Sequence, residues 1–510
     1  MERRSFFAAI LLFALAGAGC AQNLADFGFN ASPLPPSRPV LVILPNYPGL
    51  SVQGNSLQWQ QLMFDNVTSN SPPHFSVAQW ASETSNGRFT ITPANPLPIA
   101  ITMTANDSYL SIQAANPGWN EAQVNNAWLG RIVKVLIDSG FDFLAFDTNH
   151  DGNVQCPGEL TLFVVNPSSD PNASSGGVNR GLATQQDDGR TFSVSGGSMI
   201  VGNAVTFDTI CHESGHSFGV NYEAYTPLPP GNPINNGMTI MSSTGYGSTG
   251  ATAVFSSAWA PGRLHFDPFH KLRFGWSEPR IVSLRAGGRL VLPVATSRTV
   301  NAPVILYDPL RGTNEYFIVE YRSRFQSSAN YDIDFASDHP TDGGGLVIWQ
   351  IATQANHSAF GNWTPGDPAL NPPAQYSSSI LCRCTPDLNV TANRPWTSGA
   401  ETPALKWFDG SSTATRIRVL PFAAGAASIT IEVLANYETW VNFSYLGLPF
   451  LPETGGFDTP YNSFAEGIAN VGYDGRMRIK AGQTNATVTD LGKPMTLEAF
   501  GGIVTIGHLP

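Results

Sequence analysis

Charge is scarce in this chain. Only 13% of its 510 residues are Asp, Glu, Lys or Arg, and the balance leans acidic, with a formal net charge of -11. So few basic residues leave no electrostatic footprint for nucleic acid or an anionic membrane surface. Long helical patterns are scarce too. Gly (49) and Pro (39) are plentiful, which favours strands and loops over helical bundles. Beyond the first residues no apolar run is long enough to cross a bilayer. At this length, two to four domains are the natural expectation.

Arg3 and Arg4, the apolar run from Phe6 to Ala16 and the small residues through Gly19, Cys20 and Ala21 form the pattern of an export signal. Residues 1–21 are therefore read as a signal peptide and the protein as secreted, with lipid attachment at Cys20 as the second option. Export leaves Cys156, Cys211, Cys382 and Cys384. An oxidising compartment permits disulfides among them, although Cys382 and Cys384 are too close to bridge each other without strain. Cys211 reads as a buried thiol.

The most informative residues are His212-Glu-Ser-Gly-His-Ser-Phe-Gly219. His-Glu-x-x-His on a helix puts two imidazoles one turn apart on one face, the spacing that holds a zinc ion. Glu213 is then placed to take a proton from zinc-bound water. Ala204 to Phe218 reads as the helix, and Gly219 as the left-handed residue that ends it. Downstream, Gly237-Met-Thr-Ile-Met-Ser-Ser243 offers a methionine turn centred on Met241, a turn that lies beneath the metal in metzincin-type enzymes. The third ligand is open. Glu223 brings a carboxylate and is the first choice; Tyr222 is the second, and Tyr225, His265 and His270 are further options. Tyr222, Tyr225 and Tyr246 are candidates to donate to the oxyanion.

A second metal pattern lies in Asp147-Thr-Asn-His-Asp-Gly-Asn-Val-Gln155. Asp147, Asn149 and Asp151 alternate as oxygen donors, Gly152 permits the sharp turn, and Asn153 offers a backbone carbonyl, as in the first half of a calcium loop. The closing acid, Glu159, comes one position later than an EF-hand requires.

Around these motifs, Val40 to Leu44 and Glu159 to Val165 read as strands. Phe75 to Trp80 is helix-like and precedes a strand at Gly87 to Ile91; Asn120 to Gly140 carries apolar residues at helical spacing. Beyond Trp276 come short β-branched and aromatic runs, among them Tyr316–Val319, Gly345–Trp349, Ile417–Leu420 and Ile429–Val433, divided by turn residues in the manner of a β-sandwich. Gln354 to Arg394 is loop-rich. The tail from Asn436 is strand-like, with Gly-rich turns suggestive of parallel β-helix coils.

Taken in order, these segments resemble the immune inhibitor A-like family of secreted bacterial metallopeptidases. The likeness is carried by Arg38–Leu44, Ser76–Trp80, Ser85–Phe89, Phe141–Gly152, His212–Gly219, Ile240–Ser243, His270–Trp276, Asn314–Glu320 and Gly344–Trp349. It spans about residues 38 to 435. The resemblance implies a secreted zinc endopeptidase acting on proteins or peptides, often helped by calcium. It also implies an α+β architecture, a metzincin-like catalytic domain (22–280, with 22–110 partly propeptide as an option) followed by a β-sandwich (281–435); the β-rich C-terminal module (436–510) lies outside the resemblance. One departure matters. The family typically shows Asp-Glu after the glycine turn, where this chain has Tyr222-Glu223. Hence the alternative reading, a catalytically impaired binding or surface protein on a peptidase scaffold.

Overall fold

In the computed structural model the described residues are 23–29, 34–65, 76–156, 158–167, 175–187, 190–203, 205–218, 238–241, 254–255, 264–285, 287–295, 303–309, 311–324, 344–352, 381–384, 395–407, 412–435, 438–446, 453, 455–471, 475–486, 491 and 495–507. Residues 1–22, Gly219, Tyr222, Glu223, Tyr225 and Tyr246 lie outside them. The described residues form a mixed α/β fold with many strands and few helices. The helices are α1 (Ser56–Phe64), α2 (Val77–Thr84), α3 (Tyr109–Ala115), α4 (Glu121–Asp138), α5 (Phe207–Ser217), α6 (Pro268–Arg273) and α7 (Phe464–Asn470). None of them is long and apolar enough to cross a membrane.

Seven strands build the first sheet: β1 (Ser37–Asn46), β2 (Thr90–Pro93), β3 (Ile99–Thr102), β4 (Asn153–Cys156), β5 (Thr161–Asn166), β6 (Ser175–Asp187) and β7 (Arg190–Gly202). β1 pairs in parallel with β2, β3 and β5, and β7 pairs in parallel with β4 and β5. A strand residue has one partner on each side. Ser195 faces Gln155 of β4 and Gly181 of β6, so antiparallel β6 runs along the side of β7 opposite β4.

The strand β1 shows why its sequence reads as an unbroken apolar run. Leu41 and Ile43 enter one buried cluster, while Val40, Val42 and Leu44 enter another on the opposite face. β5 divides in the same way, Leu162 and Val164 to one side, Phe163 and Val165 to the other. A parallel strand covered on both faces has no room for alternating polar residues. Amphipathic α4, capped by Asn120 and Gln123, covers one face with Val124, Trp128, Leu129, Ile132, Val133 and Leu136. α5 and residues of α1 and α2 belong to the cluster on the other face.

The β-rich stretch beyond 280 contains β8 (Arg280–Ser283), β9 (Gly288–Pro293), β10 (Val304–Tyr307), β11 (Glu315–Ser323), β12 (Gly344–Ala352), β13 (Leu381–Cys384), β14 (Thr415–Val419) and β15 (Ser428–Ala435). They form a sheet in the order β13-β12-β11-β10-β8 and another in the order β14-β15-β9. Both sheets contribute to one buried cluster, including Phe317, Val319 and Ile348 from the first and Leu292, Ile417 and Ile431 from the second. The alternate residues Ile305, Tyr316, Ile318, Val347 and Trp349 pack instead with Phe27, Phe29 and the cluster around α5. That cluster therefore crosses the 280/281 boundary expected from the sequence. β13 places Cys382 and Cys384 opposite Ile351 and Trp349; Cys156 and Cys211 are buried free thiols.

In the tail, β16 (Glu438–Val441), β17 (Arg476–Thr484) and β18 (Thr496–Ile506) form a wholly parallel sheet. α7 lies in the connection from β16 to β17. Val441, Phe464, Val471, Met477 and Ile479 make a small core of their own.

Candidate metal centre

The helix α5 starts three residues later than the apolar pattern suggests, and for a local reason. Thr206 is extended, and its side chain accepts from the Thr209 amide as an N-cap. Asp208 falls in the first turn and His216 in the last, as the helix dipole favours. Burial raises the Asp208 pKa against the opposing bonds from Thr206 and Thr209 and the charge of His212. At the other end, the buried Arg38 on β1 donates from Nη1 to the Ser217 carbonyl at 2.7 Å. That bond satisfies one of the carbonyls a helix leaves open at its C-terminus. Burial brings the Arg38 pKa down to about 10, still well above neutrality, so the guanidinium stays charged.

The imidazoles of His212 and His216 stand with ring centroids 5.0 Å apart and planes inclined at 80°. Two imidazoles on one tetrahedral zinc, each with Zn–N of ~2.0 Å, put their centroids about 5 Å apart. The centroid spacing of the pair matches that value. His212 Nδ1 lies 2.7 Å from the Ile240 carbonyl oxygen. A carbonyl only accepts, so Nδ1 carries the proton, and in the neutral ring that leaves the lone pair a metal needs at Nε2. His212 and Glu213 are buried and His216 is partly exposed.

Met241 packs against the helix at Gly215, which lies between the two histidines in sequence. A Cβ on Gly215 would meet the Met241 sulfur at 2.5 Å and Phe266 Cε1 at 2.9 Å. Met238, Ile240 and Met241 are all buried. Cys211 is buried as well, and burial pushes its thiol far above the ordinary range.

His265 and His270 are built into the protein below this turn. His265 Nε2 is 3.0 Å from Glu83 Oε1, and its Nδ1 is 3.4 Å from Lys271 Nζ. His270 Nδ1 is 2.6 Å from Asp267 Oδ2. With both ring nitrogens of His265 turned to side chains of the protein, that residue is unsuited to complete the zinc shell. Among the described residues no three His, Cys, Asp or Glu side chains form a metal-binding group. Glu223 and Tyr222, the first two choices for the third ligand, lie outside those residues.

The Asp147–Glu159 loop is closed by its own side chains. Asp147 accepts from the Asp151 and Gly152 amides, Asn149 from Asp151, and Asp151 from Asn153. The Asn153 side-chain oxygen accepts from Ser193 and Ser195 on β7, both at 2.7 Å. Glu159 accepts from the Thr148 amide and hydroxyl and from the Asn149 and Gln155 amides. Slight burial opposes it, but these bonds hold the Glu159 pKa below the usual carboxylate value. The late glutamate thus reaches back to the head of the loop. His150 and Gly152, at φ 59° and 79°, make the turns.

Several residues of the site are invisible to motif reading. Glu83 meets His265, and Arg38 meets Ser217, across some 180 positions of sequence. Asp267 did carry a signal, since Asp-Pro opens a helix with a cap and a proline in its first turn.

The chain matches no protein-family model, and no curated protein is significantly similar to it.

Proposed function

We propose that this protein is a secreted zinc-dependent endopeptidase acting on protein or peptide substrates. His212 and His216 supply two ligands and Glu223 the third. The observation that carries the reading is the placement of the two imidazoles, 5.0 Å apart on one buried helix, with His212 Nδ1 committed to a carbonyl. A bound zinc ion supplies Lewis-acid polarisation of the scissile carbonyl and acidifies water. Glu213, next to His212 on α5, accepts the proton of the attacking water and passes it to the leaving amine.

On this reading residues 22–280 form a metzincin-like catalytic domain, and the two sheets that share a core beyond it form the β-sandwich. The Asp147–Glu159 loop holds calcium, with Asp147, Asn149 and Asp151 as side-chain donors and Asn153 contributing its carbonyl. Tyr222 favours a second reading, a peptidase scaffold retained for binding. A neutral phenol is a poor substitute for a carboxylate at the metal.

Metal analysis separates the two. The purified protein is expected to carry about one zinc per chain, and His212→Ala or His216→Ala to lose it. Wild type that stays zinc-free when supplied with the ion removes the peptidase reading.

A further inference from the structure

We infer that Thr239 and Asp267 are positioning residues for His212, acting through the turn that carries Met241. The inference rests on the reading of His212 as a zinc ligand. It concerns how the protein selects the nitrogen presented to the metal.

An imidazole offers its Nε2 lone pair only while Nδ1 keeps the proton. Here the acceptor that holds this proton is the Ile240 carbonyl, 2.7 Å from Nδ1. A turn carbonyl is a dependable acceptor only if its peptide plane cannot rotate. The polar groups around that plane are tied in four directions. The Met238 carbonyl accepts from the buried Arg322 guanidinium of β11. The Ile240 amide donates to the His265 carbonyl at 3.0 Å. The Met241 amide donates to Thr239 Oγ1 at 3.2 Å, and so does the Asp267 amide. The Thr239 hydroxyl donates in turn to Asp267 Oδ2 at 2.8 Å.

A hydroxyl has one proton and two lone pairs, and this one uses all three. Thr239 is fully buried, so none of these bonds can be replaced cheaply by water. Asp267, also fully buried, accepts from Thr239 and His270 at Oδ2 and from the His270 amide at Oδ1. The carboxylate anchors α6 and the turn together. Ile240 lies between the two anchored residues, with its carbonyl aimed at His212.

Histidine-selective 15N NMR on the apo protein, with the His212 signal assigned by its loss in His212→Gln, reads the tautomer directly. Zinc affinity by chelator competition reads the consequence. Wild type is expected to show His212 protonated at Nδ1. Thr239→Val keeps the shape and removes the hydroxyl. It should mix the tautomers and weaken zinc by about 10–100-fold. Thr239→Ser restores the hydroxyl and should hold both readouts within about threefold of wild type. The role is overturned if Thr239→Val matches wild type in tautomer and affinity, or if Thr239→Ser falls as far as Thr239→Val. Should Thr239→Val fail to fold, Asp267→Asn is read in its place: mixed tautomers with weakened zinc sustain the inference, and a wild-type tautomer and affinity overturn it. If wild type takes up no zinc while its tautomer responds to these substitutions as expected, the positioning role stands and the peptidase reading alone fails.

Discussion

Asp267 is a carboxylate wholly out of water, and its surroundings set a sign for the dependence of stability on pH. Burial would raise its pKa, but the charge of His270 and the bonds from His270 and Thr239 outweigh burial and hold it below the ordinary value. In the unfolded chain the group titrates near ~3.9. A folded value below the unfolded one means the native state binds fewer protons. The contribution is therefore fully present above the unfolded value and is lost as pH falls through the folded one. Asp267→Asn removes it. Denaturant unfolding should show the variant less stable by about 3 kcal/mol at neutral pH. The gap should close as both proteins are taken from pH 5 towards pH 3. A gap that keeps its size over that range contradicts the assignment.

At the scale of elements, α5 and the turn beneath it meet through a missing side chain. Gly215 leaves room for the Met241 sulfur and the Phe266 ring. Gly215→Ala adds one methyl between two fully buried side chains, one of which must shift to admit it. It should cost about 1–3 kcal/mol in unfolding free energy, as overpacking does, and lower zinc occupancy with it. Unchanged stability and occupancy would show that the turn does not press on the helix. The helix itself was legible because its signals are local: the spacing of His212 and His216, and apolar residues at the right intervals. Strand β1 was legible for the same reason, being an unbroken apolar run. What was not legible depends on distant chain. Nothing near Thr239 in sequence announces Asp267, and nothing near Arg38 announces the end of α5. The start of α5 was misplaced by three residues because its cap, Thr206, is read only once the preceding chain is seen to be extended. His265 looked like a ligand candidate by residue type; Glu83 and Lys271, which its sequence neighbourhood does not announce as partners, take up both of its ring nitrogens.

On the scale of the whole molecule, the sheet of β11 and β12 is buried on both faces and sends Arg322 to the carbonyl of Met238. The chain beyond 280 thus helps fix the turn on which His212 rests. The tail differs, since its parallel sheet closes on its own small core. A chain ending at residue 435 should therefore bind zinc as the full chain does and unfold within about 2 °C of it. Loss of zinc binding in the shortened chain would show that the tail supports the site. The central claim is hydrolysis at His212 and His216 with Glu213 moving the proton. Its most direct measurement is cleavage of a denatured protein by three samples: wild type, wild type with a zinc chelator, and Glu213→Gln with its zinc content verified. Wild type alone should cleave, with Glu213→Gln slower by at least about 100-fold. Equal cleavage in all three samples, or none in zinc-loaded wild type, would contradict the account.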